Sequence, residues 1–455
     1  MAHNIYFIGI GGIGMSAIAR HYRTNGRNVA GYDKTRSRLT AEIESEGIAV
    51  TYDDDVATIP ESFRDVSDTM VIVTPAIPSD NAILNYFRSG GFRIEKRSVA
   101  LGELTRPMKS ICVAGTHGKT TTSTLAAHIL RESNVGCSAF LGGISVNYGT
   151  NYWSDLSSKY VVTEADEYDR SFLQLEPDMA VITAMDADHL DIYGTHAEVI
   201  KAFKQFAGLV RHGGMLLAKA GLDLKSEDLA AGVELRTYTL DDSAADYYAR
   251  DIQVRDGRYE FSVVGPGFEV DGIRMGLPGR HNIENCVAAV AMARRAGATD
   301  DDIRRACKSF RGNRRRFEIH VERADAMLID DYAHHPEEIR ATLRSVRELY
   351  PGRRVTVAFQ PHLYTRTRDL APGFASALSM ADRVWMLDIY PAREKPIAGV
   401  SSDMLLELME AGVGRKTTKE RLASDIMSEE HDIVVVMGAG DIDRLVGEIE
   451  QKMTE

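Results

Sequence analysis

Residues 110–131 read SICVAGTHGKTTTSTLAAHILR and carry the clearest structural signal in this chain of 455 residues. An apolar run, Ser110–Ala114, meets a glycine-rich turn, and a helical pattern follows. This order predicts a strand, a phosphate-binding loop and a helix. Backbone N–H groups of the loop would surround phosphates, Lys119 would balance their charge, and Thr120 would bind Mg²⁺. Val113 replaces the first glycine of the full motif, which leaves a plain glycine turn as the alternative.

The N-terminus has the same arrangement of strand, glycine turn and helix. Asn4–Ile8 is rich in strand-forming residues, and the loop Gly9–Gly14 reads GIGGIG before an amphipathic stretch near Met15–Thr24. The glycines permit a tight turn and a close approach of the backbone to a diphosphate, which the helix N-terminus attracts. Asp33, at the end of the next strand, could accept a ribose hydroxyl. NAD, FAD and a UDP-sugar all stay open from this pattern alone, as does a turn that only serves packing.

Strand-like and helical runs alternate through most of the chain, which predicts α/β domains with parallel sheets. The length is compatible with three domains of about 150 residues each. We place the boundaries at the polar connector around Pro107 and at the basic run 311–316. The predicted domains are a Rossmann-like one at 1–107, a P-loop one at 108–316 and a Rossmann-like one at 317–455. Residues 222–271 contain several turn signals and are predicted to form an antiparallel or irregular insertion.

The composition excludes several classes of protein. Lys and Arg total 54 against 66 Asp and Glu, and the net charge of −12 disfavours a nucleic-acid-binding protein. The four cysteines form no C-x-x-C pair, so we expect neither a zinc site nor a disulfide framework, and we expect a reduced, cytoplasmic compartment. No apolar run reaches about eighteen residues, so no membrane span is expected.

Candidate ligands of a cation follow two further strands predicted in the middle of the chain. Glu164 ends the run Tyr160–Thr163 and lies where a parallel sheet binds its ligand. His189 follows the next strand and could bind a second cation or contact substrate, although a lone histidine is more often structural. Asn282 and Asn285 are one helical turn apart, and their amides could contact adenine edges. Considered alone, Asn282 is better explained as a helix N-cap.

The last part of the chain offers two loops that follow predicted strands, Asp330–Pro336 and Gln360–Arg368. Arg366 or Arg368 could bind a carboxylate through its guanidinium group, and one of the two is expected to be a plain surface charge. The three arginines at 314–316 are either a solvated run or include a residue that binds phosphate.

These motifs, in this order, resemble the Mur ligase family. The matching stretches are GIGGIGMSAIA, AGTHGKTTT, EADEYDRSF, DADHLDIYG, GRHNIEN, GNRRRF, DDYAHHPEE, QPHLYTRTRD and DIYPA. They span nearly the whole chain, so the resemblance is far more specific than either glycine loop. Some positions depart from the family pattern. Leu363 stands where arginine is common, and Gly31-Tyr32-Asp33 and Tyr168 replace smaller residues.

The resemblance implies an enzyme of peptidoglycan synthesis whose three domains bind a UDP-linked substrate, ATP and an amino acid. Within the family, the stretches are most similar to the ligases that act on UDP-N-acetylmuramate and L-alanine. ATP would phosphorylate the lactyl carboxylate, and the amino group would attack the acyl phosphate. ATP and Mg²⁺, at two sites, are the implied cofactors, and no nucleic acid or membrane is expected as a partner. We expect a monomer or a weak homodimer.

The resemblance also implies roles for individual residues. The residues implied to bind ATP are Gly115, Thr116, His117, Gly118, Lys119, Thr120, Thr121, Asn282, Asn285, Arg316 and Asp331. The residues implied to bind the UDP substrate are Gly9, Gly11, Gly12, Ile13, Gly14, Asp33, Thr74 and Ala76. The residues implied to bind the amino acid are Tyr332, His334 and Arg366. The implied metal ligands are Thr120, Glu164 and His189, and the implied catalytic residues are Lys119, Glu164, His189 and Arg316.

Three alternatives leave part of the sequence unexplained. A ligase of the same family that attaches a whole tripeptide during muropeptide recycling is expected to depart from GIGGIGM. An NAD-dependent oxidoreductase explains the first glycine loop and leaves AGTHGKTTT without a role. A P-loop nucleotide switch leaves the third domain, with its arginine and histidine loops, without a role.

Overall fold

The computed structural model describes residues 2–392 and 394–455, with the side chain of Asp191 also outside the description. Two compact units are present. The first contains the chain up to Asp251 with Phe261–Ile273 and Ile283–Ser309, and the second contains Ile252–Glu260, Arg274–Asn282 and Phe310–Glu455. The predicted boundaries near 107 and 316 stay predictions, because this division into units does not test them.

The N-terminal sheet of the first unit has five parallel strands in the order β3-β2-β1-β4-β5. The strands are β1 (Asn4–Ile8), β2 (Asn28–Tyr32), β3 (Ala49–Thr51), β4 (Thr69–Val73) and β5 (Arg93–Lys96). The helices are α1 (Ile13–Thr24), α2 (Arg38–Ser45), α3 (Ala82–Ser89) and α4 (Arg97–Thr105), with 3₁₀ turns at Val56–Thr58 and Glu61–Phe63. Both faces of β1 are buried, as expected for a central parallel strand.

A seven-stranded sheet forms the centre of the first unit, in the order β12-β11-β10-β6-β9-β7-β8. Its strands are β6 (Lys109–Ala114), β7 (Ser138–Phe140), β8 (Tyr152–Trp153), β9 (Tyr160–Glu164), β10 (Met179–Ile182), β11 (Met215–Lys219) and β12 (Glu234–Tyr238). All neighbours are parallel except β7 and β8. The strand β6 lies between β9 and β10, so the loops that follow these three strands meet at one edge.

The helices of this region are α5 (Lys119–Arg131), α6 (Leu190–Tyr193), α7 (His196–Ala207), α8 (Arg280–Ala296) and α9 (Asp300–Ser309), with 3₁₀ segments at Tyr168–Gln174 and Ser226–Asp228. The helix α5 is buried along nearly its whole length. Its threonine-rich first turn therefore has a fixed position against the sheet.

The prediction for residues 222–271 is partly wrong. β12 lies in this stretch and extends the central sheet in parallel with β11, so the stretch is not wholly antiparallel or irregular. The strands β13 (Tyr248–Arg255), β14 (Arg258–Gly265) and β15 (Phe268–Arg274) form a separate three-stranded sheet. Two-residue connections join them, and such short loops join antiparallel strands.

The second unit contains a six-stranded sheet in the order β16-β17-β21-β18-β19-β20, parallel except at the edge strand β16. Its strands are β16 (Glu318–Glu322), β17 (Met327–Asp331), β18 (Val355–Phe359), β19 (Arg383–Met386), β20 (Gly414–Lys416) and β21 (Ile433–Met437). The helices are α10 (Pro336–Leu349), α11 (Tyr364–Asp369), α12 (Ala371–Leu378), α13 (Asp403–Leu408), α14 (Leu422–Met427) and α15 (Val446–Thr454), with a 3₁₀ turn at Asp441–Leu445. Among the described residues, no helix is long and apolar enough to cross a bilayer.

Candidate active site

The loop between β6 and α5 has the backbone of a phosphate-binding loop. Gly115 and Gly118 have φ values of 132° and 80°, which favour glycine. A Cβ atom on Gly115 would lie 2.1 Å from Oγ1 of Thr183, so this position has no room for a side chain. The Thr183 hydroxyl lies within hydrogen-bond distance of the carbonyls of Ala114 and His117 and donates its one proton to this pair, which ties the loop to the end of β10. The loop conformation is thus held by contacts that need no ligand.

The remaining side chains of the loop differ in exposure. Thr120 and Thr121 are buried in the first turn of α5, and Thr116 is buried beside Asp186. His117 is exposed, and its Nε2 lies 3.6 Å from a carboxylate oxygen of Asp186. The sequence prediction assigned all four to ATP, and the structure places all four at the edge of the sheet where the loop lies.

Lys119 is held by a buried carboxylate that the sequence analysis did not select. Its Nζ donates to the carbonyl of Gly115 at 2.6 Å and to Glu167 at 2.9 Å. The Glu167 side chain is only 1% exposed. Burial raises the pKa of Glu167 above its usual value, and the charge of Lys119 opposes that rise. The ammonium group is therefore preorganised above the loop before any phosphate binds.

Glu167, Asp188 and His189 form a group that could hold a cation, since one ligand atom from each lies within 4.8 Å of the others. Nε2 of His189 lies 4.0 Å from Glu167 and 3.7 Å from Asp188. His189 has a φ of 51°, a left-handed conformation that is rare for residues other than glycine. Strained backbones are common at functional sites, and this one turns the imidazole toward Glu167.

Glu164, the predicted magnesium ligand, lies elsewhere at the same sheet edge. It ends β9 and lines a cavity in the first unit that is open to solvent. A Cβ atom on Gly142 would lie 2.1 Å from a Glu164 carboxylate oxygen, so Gly142 makes room for this side chain. The assignment of Glu164 as a metal ligand stays a prediction.

The same cavity is lined by the first glycine loop. Five residues predicted to bind the UDP substrate lie on its wall: Gly12, Ile13, Gly14, Thr74 and Ala76. Arg97 also lines the cavity and donates to Asp166 at 3.0 Å. The cavity thus joins the loop after β1 to the loop after β9, within one compact unit.

The other predicted residues of this loop support its shape. Gly9 has a φ of 88°, and a Cβ atom there would lie 2.4 Å from the Thr74 side chain. One carboxylate oxygen of Asp33 accepts a hydrogen bond from the backbone N–H of Gly11 at 2.8 Å. Asp33 therefore fixes the loop, a role distinct from the predicted contact with ribose, which stays a prediction.

The predicted adenine residues lie in the first turns of α8. Asn285 is buried, and its side chain packs against the P-loop. A Cβ atom built on Gly118 would lie only 2.8 Å from Oδ1 of Asn285. Asn282 belongs to the second unit and donates a side-chain hydrogen bond to the carbonyl of Pro278. That bond is a local one, and a contact of either amide with adenine stays a prediction.

A substitution at Gly118 tests the fit of the loop. We expect Gly118→Ala to lower the free energy of unfolding by about 1–2 kcal/mol, because of its positive φ, and to raise the KM for ATP as well. Gly149→Ala is the matched control, since Gly149 has a φ of 65° and nothing within 4 Å of a built Cβ. Denaturant unfolding and ATP kinetics measure both effects. An ATP KM that shifts equally in the two variants would contradict a specific role for the loop.

In the second unit, β17 ends in a partly buried carboxylate, that of Asp331. Asp331 accepts from the backbone N–H of Ala333 at 2.9 Å and from the Thr342 hydroxyl at 3.0 Å. Burial raises the pKa of Asp331 to about 6, and these two hydrogen bonds and the charge of Arg316 oppose the rise. Arg316 is itself exposed. The charge of Arg316 thus acts on the Asp331 carboxylate, and the binding of one ligand by both residues stays a prediction.

The predicted amino-acid residues converge above the same sheet. His334 Nδ1 donates to the carbonyl of Tyr332 at 2.9 Å, and its ring lies 6.1 Å from the ring of His362. Nη1 of Arg366 and Nδ1 of His362 are buried and have no hydrogen-bond partner in the described structure. Burial, with the nearby charge of Arg366, lowers the pKa of His362 to about 4, so this imidazole is neutral near pH 7.

His362 is a second residue that sequence reasoning did not select. It stacks on Tyr390 with ring centroids 5.8 Å apart. The sequence feature that could have identified His362 is its position in QPHLY, directly after β18. Leu363, one of the departures noted above, has a φ of 71° and directly precedes α11. The backbone turn at Leu363 leads into the helix that carries Arg366.

Three stretches of the chain match family models. Residues 4–108 match the Mur ligase family catalytic domain, residues 113–293 the Mur ligase middle domain, and residues 315–440 the Mur ligase glutamate ligase domain. The chain belongs to the Mur ligase family. The resemblance inferred from the motifs is therefore confirmed, and so is the α/β fold with the family's three-domain architecture.

Curated relatives match the chain at almost full length. The UDP-N-acetylmuramate–L-alanine ligase of Porphyromonas gingivalis is 49% identical, with 98% of both chains covered. The enzyme of the same name from Parabacteroides distasonis is 47% identical, with 98% of this chain and 96% of that one covered.

Solved structures of the family have the same fold. The UDP-N-acetylmuramate-alanine ligase of Thermotoga maritima has a TM-score of 0.83 at 27% identity, with 99% of both chains covered. A murein peptide ligase from Psychrobacter arcticus has a TM-score of 0.67 at 21% identity, with 98% of both chains covered, a likeness that concerns the fold alone.

Proposed function

We propose that this Mur ligase joins L-alanine to the lactyl carboxylate of UDP-N-acetylmuramate and converts ATP to ADP and phosphate. The observation that carries the proposal is the identity of 49% over 98% of the chain to a ligase of that name. The cavity shared by the first glycine loop and Glu164 supports it, because a UDP-linked carboxylate needs both a diphosphate site and access to the P-loop edge.

The reaction has two steps. A lactyl carboxylate oxygen attacks the γ-phosphorus of ATP, the bond to the β–γ bridging oxygen breaks, and ADP leaves. The amino group of L-alanine then attacks the acyl carbon, phosphate leaves, and the nitrogen loses a proton as the amide forms. No nucleophilic side chain is required, so catalysis rests on positioning and on charge stabilisation.

Residues of the first unit carry the phosphoryl transfer in this proposal. Loop N–H groups orient the phosphates of ATP, and Lys119, already fixed by Glu167, stabilises charge on the migrating group. Two carboxylates and an imidazole, from Glu167, Asp188 and His189, are donor types that fit a divalent cation, with Thr120 assigned as a further ligand. When bound, Mg²⁺ would neutralise phosphate charge. Two magnesium sites are part of the proposal.

Residues of the second unit complete the assignment. Arg366 has an unpartnered guanidinium nitrogen and is proposed to bind the alanine carboxylate beside His334 and Tyr332. Arg316 and Asp331 are proposed to contact ATP on the strength of the family motifs.

The proposed activity is tested by following ADP release from ATP. We expect release that requires both UDP-N-acetylmuramate and free L-alanine, because the acyl phosphate forms on the first and is consumed by the second. Release with a tripeptide and not with alanine would identify a recycling ligase instead. Hydrolysis of ATP indifferent to both co-substrates, or hydride transfer to NAD, would overturn the proposal.

We also propose that the enzyme acts in the cytoplasm as a monomer or weak homodimer. Its proposed nucleotide substrates, ATP and a UDP-sugar, are products of cytoplasmic metabolism. Sedimentation over a range of concentrations measures the oligomeric state, and a concentration-independent dimer or larger species would contradict this part.

A further inference from the structure

Two acidic side chains face each other across the edge of the second unit's sheet. In the register between β16 and β17, Glu318 lies directly opposite Asp330. Side chains of such a pair point to the same face, and like charges in this position destabilise a sheet. Asp330 is only 3% exposed, so water cannot screen the repulsion well. A positive charge at this place would remove the conflict.

His320 completes the group. The register shifts between Ile319 and Val321, which makes His320 the extra residue of a β-bulge. Bulges redirect a side chain and are common near functional sites. One ligand atom from each of Glu318, His320 and Asp330 lies within 4.8 Å of the others.

The two ring nitrogens of His320 have different surroundings. Nδ1 lies 3.5 Å from a carboxylate oxygen of Glu450 on α15. Nε2 is buried and has no hydrogen-bond partner in the described structure, 3.6 Å from Glu318. Histidines that bind metals usually donate the N–H of one nitrogen to a carboxylate and bind with the other nitrogen. The arrangement of His320 matches that pattern.

Asp330 offers a second unsatisfied group. Its Oδ1 is buried without a hydrogen-bond partner. Nε of Arg315 lies 3.8 Å from Oδ2 of Asp330, an ion pair beyond hydrogen-bond distance. The Arg315 guanidinium instead donates to the carbonyl of Gly438.

We propose that Glu318, His320 and Asp330 bind a divalent transition-metal cation of the Zn²⁺ type, with Glu450 orienting the imidazole. Two carboxylates and one imidazole are a common protein donor set for such an ion, and water completes its coordination. The ion would connect β16, β17 and α15. None of the three ligands is a residue assigned to ATP or alanine, although Asp330 directly precedes Asp331, so the role we assign to the ion is to stabilise the second unit.

The test is a calorimetric titration of the nucleotide-free, full-length chain with Zn²⁺. His189→Gln serves as the parent, because that substitution disables the cation group at the P-loop. We expect the parent to bind one tight equivalent, and His320→Gln in that background to remove it. Glu450→Gln leaves all three ligands in place and should weaken binding by about 10–100-fold. His212→Gln, at an exposed histidine elsewhere, should change nothing.

Thermal unfolding gives a second measurement. Zn²⁺ should raise the Tm of the parent and leave the Tm of the His320→Gln variant unchanged, since only a folded site gains from the ligand. Circular dichroism first checks that the variant folds, and the Glu450→Gln variant carries the test if it does not. Equal stoichiometry and affinity in the parent and in both the His320 and Glu450 variants would overturn the proposal.

Discussion

Lys119→Ala is expected to lower the kcat for ADP release by roughly 1000-fold, the scale of removing one preorganised charge-stabilising group. The ammonium group has one position in the structure, set by the Gly115 carbonyl and by Glu167. Water molecules that replace the ammonium group would have to reorganise as negative charge moves between the phosphate oxygens. Single-turnover kinetics with saturating substrates measure the effect. Binding of the UDP substrate should be retained, because Lys119 does not line the cavity proposed for that substrate.

Stability must be separated from catalysis in this variant. Removal of Lys119 leaves the Glu167 carboxylate buried without its counter-charge, which typically costs about 3 kcal/mol. Lys119→Ala with Glu167→Gln removes both charges, and we expect it to regain stability and stay inactive. Lys201→Ala, at an exposed lysine that pairs with Glu198, is the matched control. Recovery of activity in the double variant would contradict a direct role of Lys119.

The pH dependence of stability provides a further check on the pair. The pKa of Glu167 is raised by burial in the wild-type protein, and removal of Lys119 takes away the influence that opposes the rise. The folded variant then binds a proton that the unfolded chain releases at a lower pH. Its free energy of unfolding should therefore fall as the pH rises through the raised pKa. Denaturant unfolding at about pH 5 and about pH 8 measures this difference.

The P-loop itself was predictable because its signal is local. A strand, a glycine turn and a helix follow each other within residues 110–131, and each step needs only neighbouring residues. The partner of Lys119 was not predictable in the same way. Glu167 lies past the end of β9, where Asp169 and Arg170 adopt positive φ values, and this path depends on tertiary packing. The last residue of EADE was the only sequence feature that pointed to Glu167.

The pairing of strands and the meeting of residues from distant parts of the chain could not be predicted from the sequence either. The residues of β12 follow several turn signals, which suggested an insertion, and the pairing with β11 that makes β12 a sheet strand is a tertiary contact. The sequence does not single out His362, because a histidine beside a leucine has no distinctive spacing. Its role becomes visible only when its ring lies between His334 and Tyr390.

Arg366→Ala is expected to raise the KM for L-alanine by about 100-fold and to leave kcat nearly unchanged. A charged guanidinium contact with a carboxylate is worth about 3 kcal/mol when two hydrogen bonds form, and about 1.4 kcal/mol corresponds to a factor of ten. A contact made equally in the ground state and the transition state affects KM alone. Initial rates over a range of alanine concentrations separate the two parameters.

Two further variants decide whether the geometry or the charge of Arg366 determines the KM for L-alanine. Arg366→Lys keeps the charge and loses the planar fork, so we expect an intermediate KM, about tenfold above wild type. Arg368→Ala is the matched control, because Arg368 lies on the same helix and pairs with Asp369 at the surface. An alanine KM that is unchanged in Arg366→Ala, or raised equally in Arg368→Ala, would rule out the assignment.

The neutral state of His362 adds an expectation about the pH dependence of the KM for L-alanine. With its pKa lowered to about 4, the imidazole carries no charge near pH 7, and the unpartnered Nη1 of Arg366 supplies the cationic donor beside it. In the wild-type protein, His362 should therefore give the KM for L-alanine no pH dependence between about pH 6 and pH 8, since its imidazole is neutral throughout that range. A KM that recovers in the Arg366→Ala variant on acidification through this range would mean that His362 or His334 gains a proton and takes over the carboxylate.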